Sequence, residues 1–368
     1  MKLPQTRSIY VVMIALLCAI VITGSLHAEE RRLPYVGVSP FSDMETRFYD
    51  ESGKEFPNFL ALAHHAGANA SRVRYRAGTD NKEFYERMEV LKKLGMRSVC
   101  TIFPSKSEDD KDFRKVLTRT NLECKYAVRE MKKRGFMPDM FTIGNEINTR
   151  GGGLNAWASQ STTMGDKDWK YYTAKTLRAA ARGLRVGGFR GDIGVHIDRT
   201  WGGFYEGIIQ YGFTDWQVIA QSFYPRKRGK SDDNMAQQME HLHNVAKRVD
   251  KKIFIIETGA PYVLQGTPES RAERGQTGAQ DFHPDMVREV SPQGQAWHVE
   301  DMCELLLALP DERGLGLLTW GSDLTKGIHR WAGMTWNRAQ VTTERVALPS
   351  LYVFGKYAES TEPRDQDQ

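Results

Sequence analysis

Strand-like and helix-like segments alternate along this chain from residue 31 onward, and this alternation constrains the fold more than any other feature of the sequence. Short apolar and β-branched runs indicate strands, whereas apolar residues at helical spacing indicate helices. The predicted strands are 35–39, 70–75, 97–103, the first part of 141–148, 193–197, 218–223, the run from 252 to Glu257, and 314–320. The predicted helices are 56–66, 82–94, 112–133, 167–185, a short one ending at 211, 234–248, 293–309 and 348–356.

Eight successive strand–helix units predict an α/β protein built as a single-domain (β/α)8 TIM barrel, a fold that usually takes about 200 to 400 residues. A doubly wound sheet is the competing architecture. No predicted strand is followed by a glycine-rich phosphate fingerprint, and the glycines at 151–153 form neither a dinucleotide-binding motif nor a P-loop. We therefore predict one barrel domain over 29–360 and a polar C-terminal tail over 361–368.

The first 28 residues are organised like a secretory signal. Lys2 and Arg7 precede an uncharged, mostly apolar run at 9–22, which is followed by the small residue Ala28 at a plausible cleavage point. That run is short beside the roughly 20 residues that a membrane-spanning helix needs. Leu26 is a poor third-from-last residue for the peptidase, which leaves an uncleaved membrane anchor as the alternative. We expect a signal peptide at 1–28 and a secreted or periplasmic protein that no membrane holds after cleavage.

The charge and the cysteines exclude other classes of protein. The formal charge of +5 loses two bases and no acid with residues 1–28, which leaves too little positive charge to indicate nucleic-acid binding. Basic clusters at 132–134 and 226–228 are most simply solvated, although the second could line a groove for an acidic ligand. Three cysteines remain, Cys100, Cys124 and Cys303, without metal-ligand spacing. We expect a monomer with no metal site and no required cofactor, and Cys100 as a small buried hydrophobe.

Two glutamates occupy equivalent places in the predicted barrel. Glu146 and Glu257 each lie at the carboxyl end of an apolar strand, and Asn145 stands beside the first. A buried acid is costly unless it is hydrogen-bonded or paired, so either glutamate alone favours a structural salt bridge or a helix cap. The pair, placed alike at the end of the barrel where the chemistry of this fold occurs, favours catalysis.

Other side chains are predicted to meet the two glutamates at the same end of the barrel. Arg72 and Arg74 share a face of the second strand, and an arginine can hold a carboxylate in its ionised state. His196, Tyr224 and Trp320 end or follow the fifth, sixth and eighth strands. Each has an ordinary packing interpretation, and for each aromatic residue alone packing is favoured. Gathered around two carboxylates, they indicate a sugar-binding site.

An ordered series of motifs resembles family 53 of the glycoside hydrolases, the secreted endo-β-1,4-galactanases, within a large clan of barrel glycosidases. The matching stretches span nearly the whole chain after residue 28, in order: 48–54, 72–74, 138–148, 222–225, 257–261, 292–296 and 348–351. The resemblance implies that Glu146 is the general acid/base and Glu257 the nucleophile. It also implies that Asn145 binds the sugar 2-hydroxyl.

The resemblance assigns three further roles. Tyr224 would hydrogen-bond the nucleophile, Arg74 would keep Glu257 ionised, and Trp320 would form a platform under the bound ring. The implied chemistry is a double displacement with retention of configuration, which requires the two carboxyl groups to lie about 5 to 5.5 Å apart. Glu146 should then have a raised pKa while Glu257 is ionised beside a cation.

The chain departs from the family pattern around the sugar. Family members generally carry an acid where this chain has Ser39, a longer polar motif where it has 101–106, and Trp-Glu-Pro where it has Trp320-Gly-Ser-Asp323. These positions shape the glycone subsites, so the catalytic roles can persist while the substrate changes. The alternatives to a β-galactanase are therefore a glycosidase of another plant or algal β-glycan, and a non-catalytic glycan-binding barrel.

Calcium is a weak expectation. Some bacterial members of the family bind it near strands seven and eight, where hard oxygen ligands are available from Glu269, Glu273, Asp281 and Asp285. These acids lack the spacing of a known calcium loop, so solvated loop acids are the favoured interpretation.

Overall fold

The computed structural model describes residues 31–105, 112–149, 154, 169–198, 203–224, 234–262, 289–325 and 338–361. Within them eight parallel strands form one closed barrel. The strands are β1 (Tyr35–Ser39), β2 (Ala70–Arg76), β3 (Arg97–Phe103), β4 (Met140–Ile143), β5 (Asp192–Asp198), β6 (Val218–Ser222), β7 (Lys252–Thr258) and β8 (Gly314–Trp320). Each pairs with its neighbours in chain order, and β1 closes the circle between β8 and β2. The predicted (β/α)8 barrel is confirmed.

Helices connect the strands. They are α1 (Phe59–His65), α2 (Lys82–Lys93), α3 (Phe113–Lys133), α4 (Trp169–Gly187), α5 (Phe204–Gln210), α6 (Met235–Val249), α7 (Pro292–Leu307), α8 (Pro349–Tyr352) and α9 (Phe354–Tyr357). Side chains at the N-termini of several helices satisfy the first backbone amides. Asn58 caps α1, and Asn234 and Gln237 form a reciprocal capping box at α6. Ser291 caps α7 just before Pro292. These signals explain why most predicted helix boundaries lie within two residues of the observed ones.

The strands are buried on both sides, which explains their continuous apolar sequence. β4 and β6 are buried at every position, since side chains fill the barrel interior and helices cover its outside. Among the helices, α3 and α4 pack most closely. A Cβ added at Gly183 of α4 would lie 2.3 Å from the carbonyl oxygen of Asn121 on α3, so the two backbones approach at a distance that only glycine permits.

Two regions differ from the predicted elements. The predicted helix 56–66 begins three residues later, at Phe59, because Phe56 belongs instead to a small antiparallel hairpin in which Phe48–Tyr49 pairs with Glu55–Phe56. Tyr49 also exchanges backbone hydrogen bonds with Arg345 and Ala347, at 3.0 and 2.9 Å. The predicted last helix divides into α8 and α9. Both differences arise where tertiary contacts outweigh helical periodicity.

Some predictions fall outside the described residues. These are the signal peptide at 1–28, residues 362–368 of the predicted tail, and the calcium candidates Glu269, Glu273, Asp281 and Asp285. Within the described part of the chain, no helix is both long and apolar enough to cross a membrane. Cys100, Cys124 and Cys303 are all buried and free of disulfides.

Candidate active site

Glu146 lies in a tight turn at the carboxyl end of β4. The strand ends at Ile143, earlier than the sequence predicted, and Gly144 turns the chain with φ of +71°. Glu146 itself has φ of +43°, a left-handed conformation that costs a residue other than glycine about 1 to 2 kcal/mol. The turn is held in place because the Ile147 amide donates to the carbonyl oxygen of His196 on β5, at 3.0 Å. This strain is tolerated where the turn presents the half-buried carboxylate of Glu146 to the barrel opening.

Glu257 lies near the end of β7 and is buried, with 4% of its surface exposed. The guanidinium of Arg72 makes a direct ion pair with its Oε1. The hydroxyl of Tyr224 donates to the other carboxylate oxygen at 3.3 Å. Both interactions compensate for burial, because a cation and a hydrogen-bond donor stabilise the negative charge of a buried carboxylate.

Arg72, fully buried on β2, connects the site. Besides Glu257, its Nη2 donates to Oδ1 of Asn145 at 2.6 Å, and its Nε donates to Oγ1 of Thr101 at 2.7 Å. Thr101 in turn bonds Thr142 at 2.8 Å. A planar guanidinium fixed on three sides holds the carboxylate of Glu257 and the amide of Asn145 in one arrangement.

Arg74 does not make the direct ion pair with Glu257, although its charge and that of Glu257 attract each other at longer range. The ion-pair partner of Glu257 is Arg72, whereas Arg74 lies two residues further along β2, on the same face and nearer the opening. Its guanidinium donates to Oγ of Ser39 and to the carbonyl oxygen of Pro40, and lies over the ring of Phe41. Of the two arginines, the fully buried Arg72 is the one that reaches the buried acid.

The two glutamates are close and differ electrostatically. A carboxylate oxygen of Glu146, one of Glu257 and a ring nitrogen of His196 all lie within 4.8 Å of one another. Burial raises the pKa of Glu146 to about 7, and the nearby negative charges of Glu257 and Asp198 add to the rise. Interactions with the Ser222 hydroxyl and with Arg72 oppose it. Near neutral pH Glu146 can therefore carry or release a proton, while Glu257 has the guanidinium as its counterion.

His196 of β5 is fully buried beneath the two acids. Burial lowers its pKa well below the usual value, and Arg72 and Arg74 add to the effect, so the ring is neutral. Its Nδ1 lies 3.5 Å from Nη2 of Arg72, which can only donate, and its Nε2 lies 2.8 Å from Oγ of Ser222. Nδ1 is then the acceptor and Nε2 carries the hydrogen. His196 thus orients the Ser222 hydroxyl that interacts with Glu146.

An aromatic wall stands across the barrel from Glu146. Trp320 ends β8, is partly exposed, and packs edge-on against Phe41 with ring centres 5.3 Å apart. The buried carboxylate of Asp323 holds the segment after β1 in place by accepting from the amides of Phe41 and Ser42, at 2.9 and 2.6 Å. A flat, partly exposed indole at the same end of the barrel as the two carboxylates offers an apolar face on which a sugar ring could stack.

A cation is a further occupant to consider, because Glu146, His196 and Glu257 present three ligand atoms within 4.8 Å. Both nitrogens of His196 already have partners, and the positive charge of Arg72 touches Glu257. A metal ion would have to displace these interactions and would be repelled by the guanidinium. These side chains suit proton transfer and nucleophilic attack better than metal binding.

The structure brings together Glu146, Glu257, Asn145, His196 and Tyr224, with Arg74 and Trp320 nearer the rim. Sequence reasoning named Arg72 without giving it a role, and it did not single out Ser222 or Phe41. The positions of Arg72 and Arg74 on one face of the same strand did contain a signal. In a parallel barrel the earlier residue of such a pair lies farther from the opening, so it is the one expected to reach a buried acid. Ser222 and Phe41 carry no comparable signal.

Comparison with known proteins shows the family to which the chain belongs. The model of glycosyl hydrolase family 53 matches residues 110–354. The fold is similar to the family 53 catalytic domain of Ignisphaera aggregans, with a TM-score of 0.70 and 22% identity over 88% of this chain and 96% of that one. It is similar to a fungal β-1,4-galactanase with a TM-score of 0.68 and 18% identity, over 88% and 99% of the two chains. At these identities the structural likeness shows the fold alone.

A curated relative matches a smaller part of the chain than these structures do. The chain is 24% identical over 216 residues to an uncharacterised protein from the bgaB 5′ region of Niallia circulans. The match takes in 54% of this chain and 53% of the relative, so the chain spans about half the length of that protein.

Proposed function

The chain belongs to glycosyl hydrolase family 53, and from this premise we propose that it is a retaining glycosidase that cleaves β-linked galactan within the polymer, with Glu146 and Glu257 as its catalytic residues. The observation that carries the proposal is the pair of carboxylates, whose nearest oxygens lie within 4.8 Å of each other. Retaining pairs stand about 5 to 5.5 Å apart, whereas inverting pairs need about 6.5 to 9.5 Å to admit a water molecule.

In the first step Glu257 attacks the anomeric carbon of the bound sugar and the bond to the leaving oxygen breaks. Glu146 gives its proton to that oxygen, and a glycosyl ester forms on Glu257. The ion pair with Arg72 and the hydrogen bond from Tyr224 keep the nucleophile ionised and aimed. The amide of Asn145, fixed by Arg72, is placed to bind a sugar hydroxyl beside the reacting carbon.

In the second step Glu146 must act as a base that takes a proton from the attacking water. The electrostatics support this change of role. The negative charge of Glu257 contributes to the raised pKa of Glu146, and that charge is absent once Glu257 has become an uncharged ester. The pKa of Glu146 then falls, and the carboxylate is available to activate the water that releases the sugar.

Galactan is the first substrate to test because a structural neighbour is described as a β-1,4-galactanase. A glycosidase of another β-glycan remains the alternative, given the departures at Ser39 and at 321–323 noted above. A barrel that only binds glycans is disfavoured, because a glutamate with its pKa near 7 beside an ion-paired carboxylate is the arrangement expected of a proton donor and a nucleophile.

The test is reducing-end release from soluble β-1,4-galactan, β-mannan and β-glucan. The wild type should cut galactan, and Glu146→Gln and Glu257→Gln should each lower turnover by at least about 100-fold. Glu89→Gln, a change at an exposed acid on α2, is the matched control and should leave turnover intact. Normal turnover by either active-site variant would contradict the mechanism. Activity on mannan or glucan but not on galactan would favour the alternative, a glycosidase of another β-glycan.

We also propose that the protein is secreted or periplasmic, on the strength of residues 1–28 alone. Expression of the full chain in a bacterial host, followed by N-terminal sequencing of the protein outside the cytoplasm, tests this. A new N-terminus at Glu29 supports cleavage after Ala28. An intact N-terminus in the membrane fraction supports the anchor instead.

A further inference from the structure

Arg74 is a cation at the barrel opening that makes no direct ion pair within the described part of the chain, although the charges of Glu257 and Asp323 act on it at longer range. Its Nη2 donates to Oγ of Ser39 at 2.8 Å, its Nη1 donates to the carbonyl oxygen of Pro40 at 3.0 Å, and its Cζ lies 4.0 Å from the ring centre of Phe41. Within the described residues no carboxylate lies within 4.0 Å of its guanidinium nitrogens. Two of its five N–H donors are used by these bonds, and the side chain is only partly buried.

The acids near Arg74 are committed elsewhere. Glu257 is ion-paired with Arg72, and the oxygens of Asp323 accept from the backbone amides of Phe41 and Ser42. Glu146 is protonated in a large fraction of molecules at neutral pH, because its pKa is about 7. Among the described residues, Arg74 therefore places at the opening a positive charge that no acid contacts directly.

A second cation stands at the same end of the barrel. Cζ of Arg338 lies 5.4 Å from the ring centre of Tyr224, the residue that bonds Glu257. A negatively charged ligand at this end of the barrel would therefore be attracted by Arg74, and Arg338 adds to the attraction at longer range.

The position of Arg74 indicates which part of a substrate would carry that charge. Glu146, which protonates the leaving oxygen, follows β4, and β8 with Trp320 stands opposite β4 in the eight-stranded circle. The sugar that becomes attached to Glu257 therefore lies toward the wall of Trp320 and Phe41. Arg74 on β2 borders that wall.

We propose that Arg74 binds the carboxylate of a uronic acid in the glycone part of the substrate, so that the glycan this site prefers is acidic. Arginine suits this role because its planar group can give two parallel hydrogen bonds to one carboxylate. The ring of Phe41 and the two oxygen acceptors hold the guanidinium in a fixed orientation with donors left over. The inference rests on the proposed glycosidase function and narrows its substrate class.

Paired substrates test the proposal. β-1,4-Galactan, β-mannan and β-glucan are each compared with a portion of the same polymer oxidised at C6 to the carboxylate, and kcat/KM is taken from reducing-end release. For the backbone that the wild type cuts, the oxidised form should be cut about 10- to 100-fold better, the contribution expected of a charge-assisted hydrogen bond. Equal rates on the two forms, or a preference for the neutral form, would overturn the proposal.

Two substitutions at one position isolate the charge. Ser39→Asp puts a carboxylate beside Nη2 of Arg74 and should bring the acidic-to-neutral ratio to about 1, since a local acid then neutralises the guanidinium. Asparagine has nearly the same size as aspartate but no charge, so Ser39→Asn should keep the acidic-to-neutral ratio of the wild type. Arg74→Gln should lower the ratio as Ser39→Asp does, which supplies the test if the aspartate is not tolerated at this buried position. The same ratio in all of these variants would refute the role of Arg74.

The failure of this inference can be told apart from failure of the proposed function. If no polymer of the panel is cut, the glycosidase proposal fails, and binding of each polymer pair by affinity electrophoresis still decides the role of Arg74. Tighter retention by oxidised polymer for the wild type and Ser39→Asn, but not for Ser39→Asp, supports an acidic-sugar site. Equal retention by all three proteins contradicts it.

Discussion

Neutralising the two glutamates one at a time should change the stability of the fold in opposite directions, although both substitutions replace Glu by Gln. The difference follows from their surroundings. Glu146 loses hydration in the folded state and faces other acids, so its charge is destabilising there. Glu257 is the counterion of a fully buried arginine, so its charge is needed.

The size of the Glu146 effect follows from its pKa. A rise in the pKa from 4.5 to about 7 means that folding disfavours the charged form of Glu146, relative to its neutral form, by about 3 kcal/mol. The side chain is only partly buried, and solvent screening reduces this to about 2 kcal/mol. Because the folded pKa is the higher one, the folded state binds more protons between pH 4.5 and about 7, and stability falls as pH rises through that window.

The Glu257 effect is larger and of the other sign. Glu257→Gln leaves the Arg72 guanidinium without its counterion, and breaking a buried pair in this way costs about 3 to 5 kcal/mol. The cost should be present throughout the neutral range.

Thermal unfolding by circular dichroism at pH 5 and pH 8 measures both effects. Relative to wild type, Glu146→Gln should melt at a similar temperature at pH 5 and about 2 to 4 °C higher at pH 8, while Glu257→Gln should melt about 5 °C lower or more at pH 8. Differences from wild type cancel the titration of all other groups. A Glu146→Gln protein no more stable at pH 8 than wild type, or a Glu257→Gln protein that is not destabilised, would refute the electrostatic assignment.

The remaining predictions concern catalysis. On an aryl glycoside with a poor leaving group, kcat/KM should fall above about pH 7 as Glu146 loses its proton; no fall between pH 6 and 9 would deny it the role of acid. Arg72→Lys keeps the charge but not the three-sided contact, so turnover should drop at least about tenfold, and normal turnover would show that geometry does not matter there. Tyr224→Phe should lower kcat by about 10- to 100-fold with little change in KM, and the reverse pattern would make Tyr224 a binding residue only. Trp320→Ala should raise KM by about tenfold with kcat largely kept, whereas an unchanged KM would remove Trp320 from the sugar platform.

The barrel could be predicted from the sequence because its local signals agree with one another. Strands buried on both faces produce apolar runs such as 218–223, and helices with caps such as Asn234 and Ser291 begin where side chains can satisfy the first amides. The hairpin before α1 could not be predicted in this way. Its two-residue strands are too short for any periodicity and depend on contacts with Arg345 and Ala347, about 300 residues away.

The candidate site was partly predictable for the same reason. A strand end is visible in sequence, and the end of a strand fixes the place of Glu146, Glu257 and His196 in a parallel barrel. Depth within the barrel is not visible in the same way, since it depends on the stagger of neighbouring strands, and this is why the sequence did not show that Arg72 makes the ion pair with Glu257. The role of the Ser222 hydroxyl depends on its contacts with His196 on the neighbouring strand and with Glu146, which the sequence does not show.

The central claim is that Glu257 becomes covalently attached to the sugar. Incubation with a 2,4-dinitrophenyl 2-deoxy-2-fluoro-β-galactobioside, which slows release of the glycosyl-enzyme, followed by peptide mass spectrometry, tests it directly. We predict one equivalent of the fluoroglycosyl group on the peptide that contains Glu257. Attachment to Glu146 instead, or release of dinitrophenol by many turnovers with no adduct on any peptide, would contradict the account.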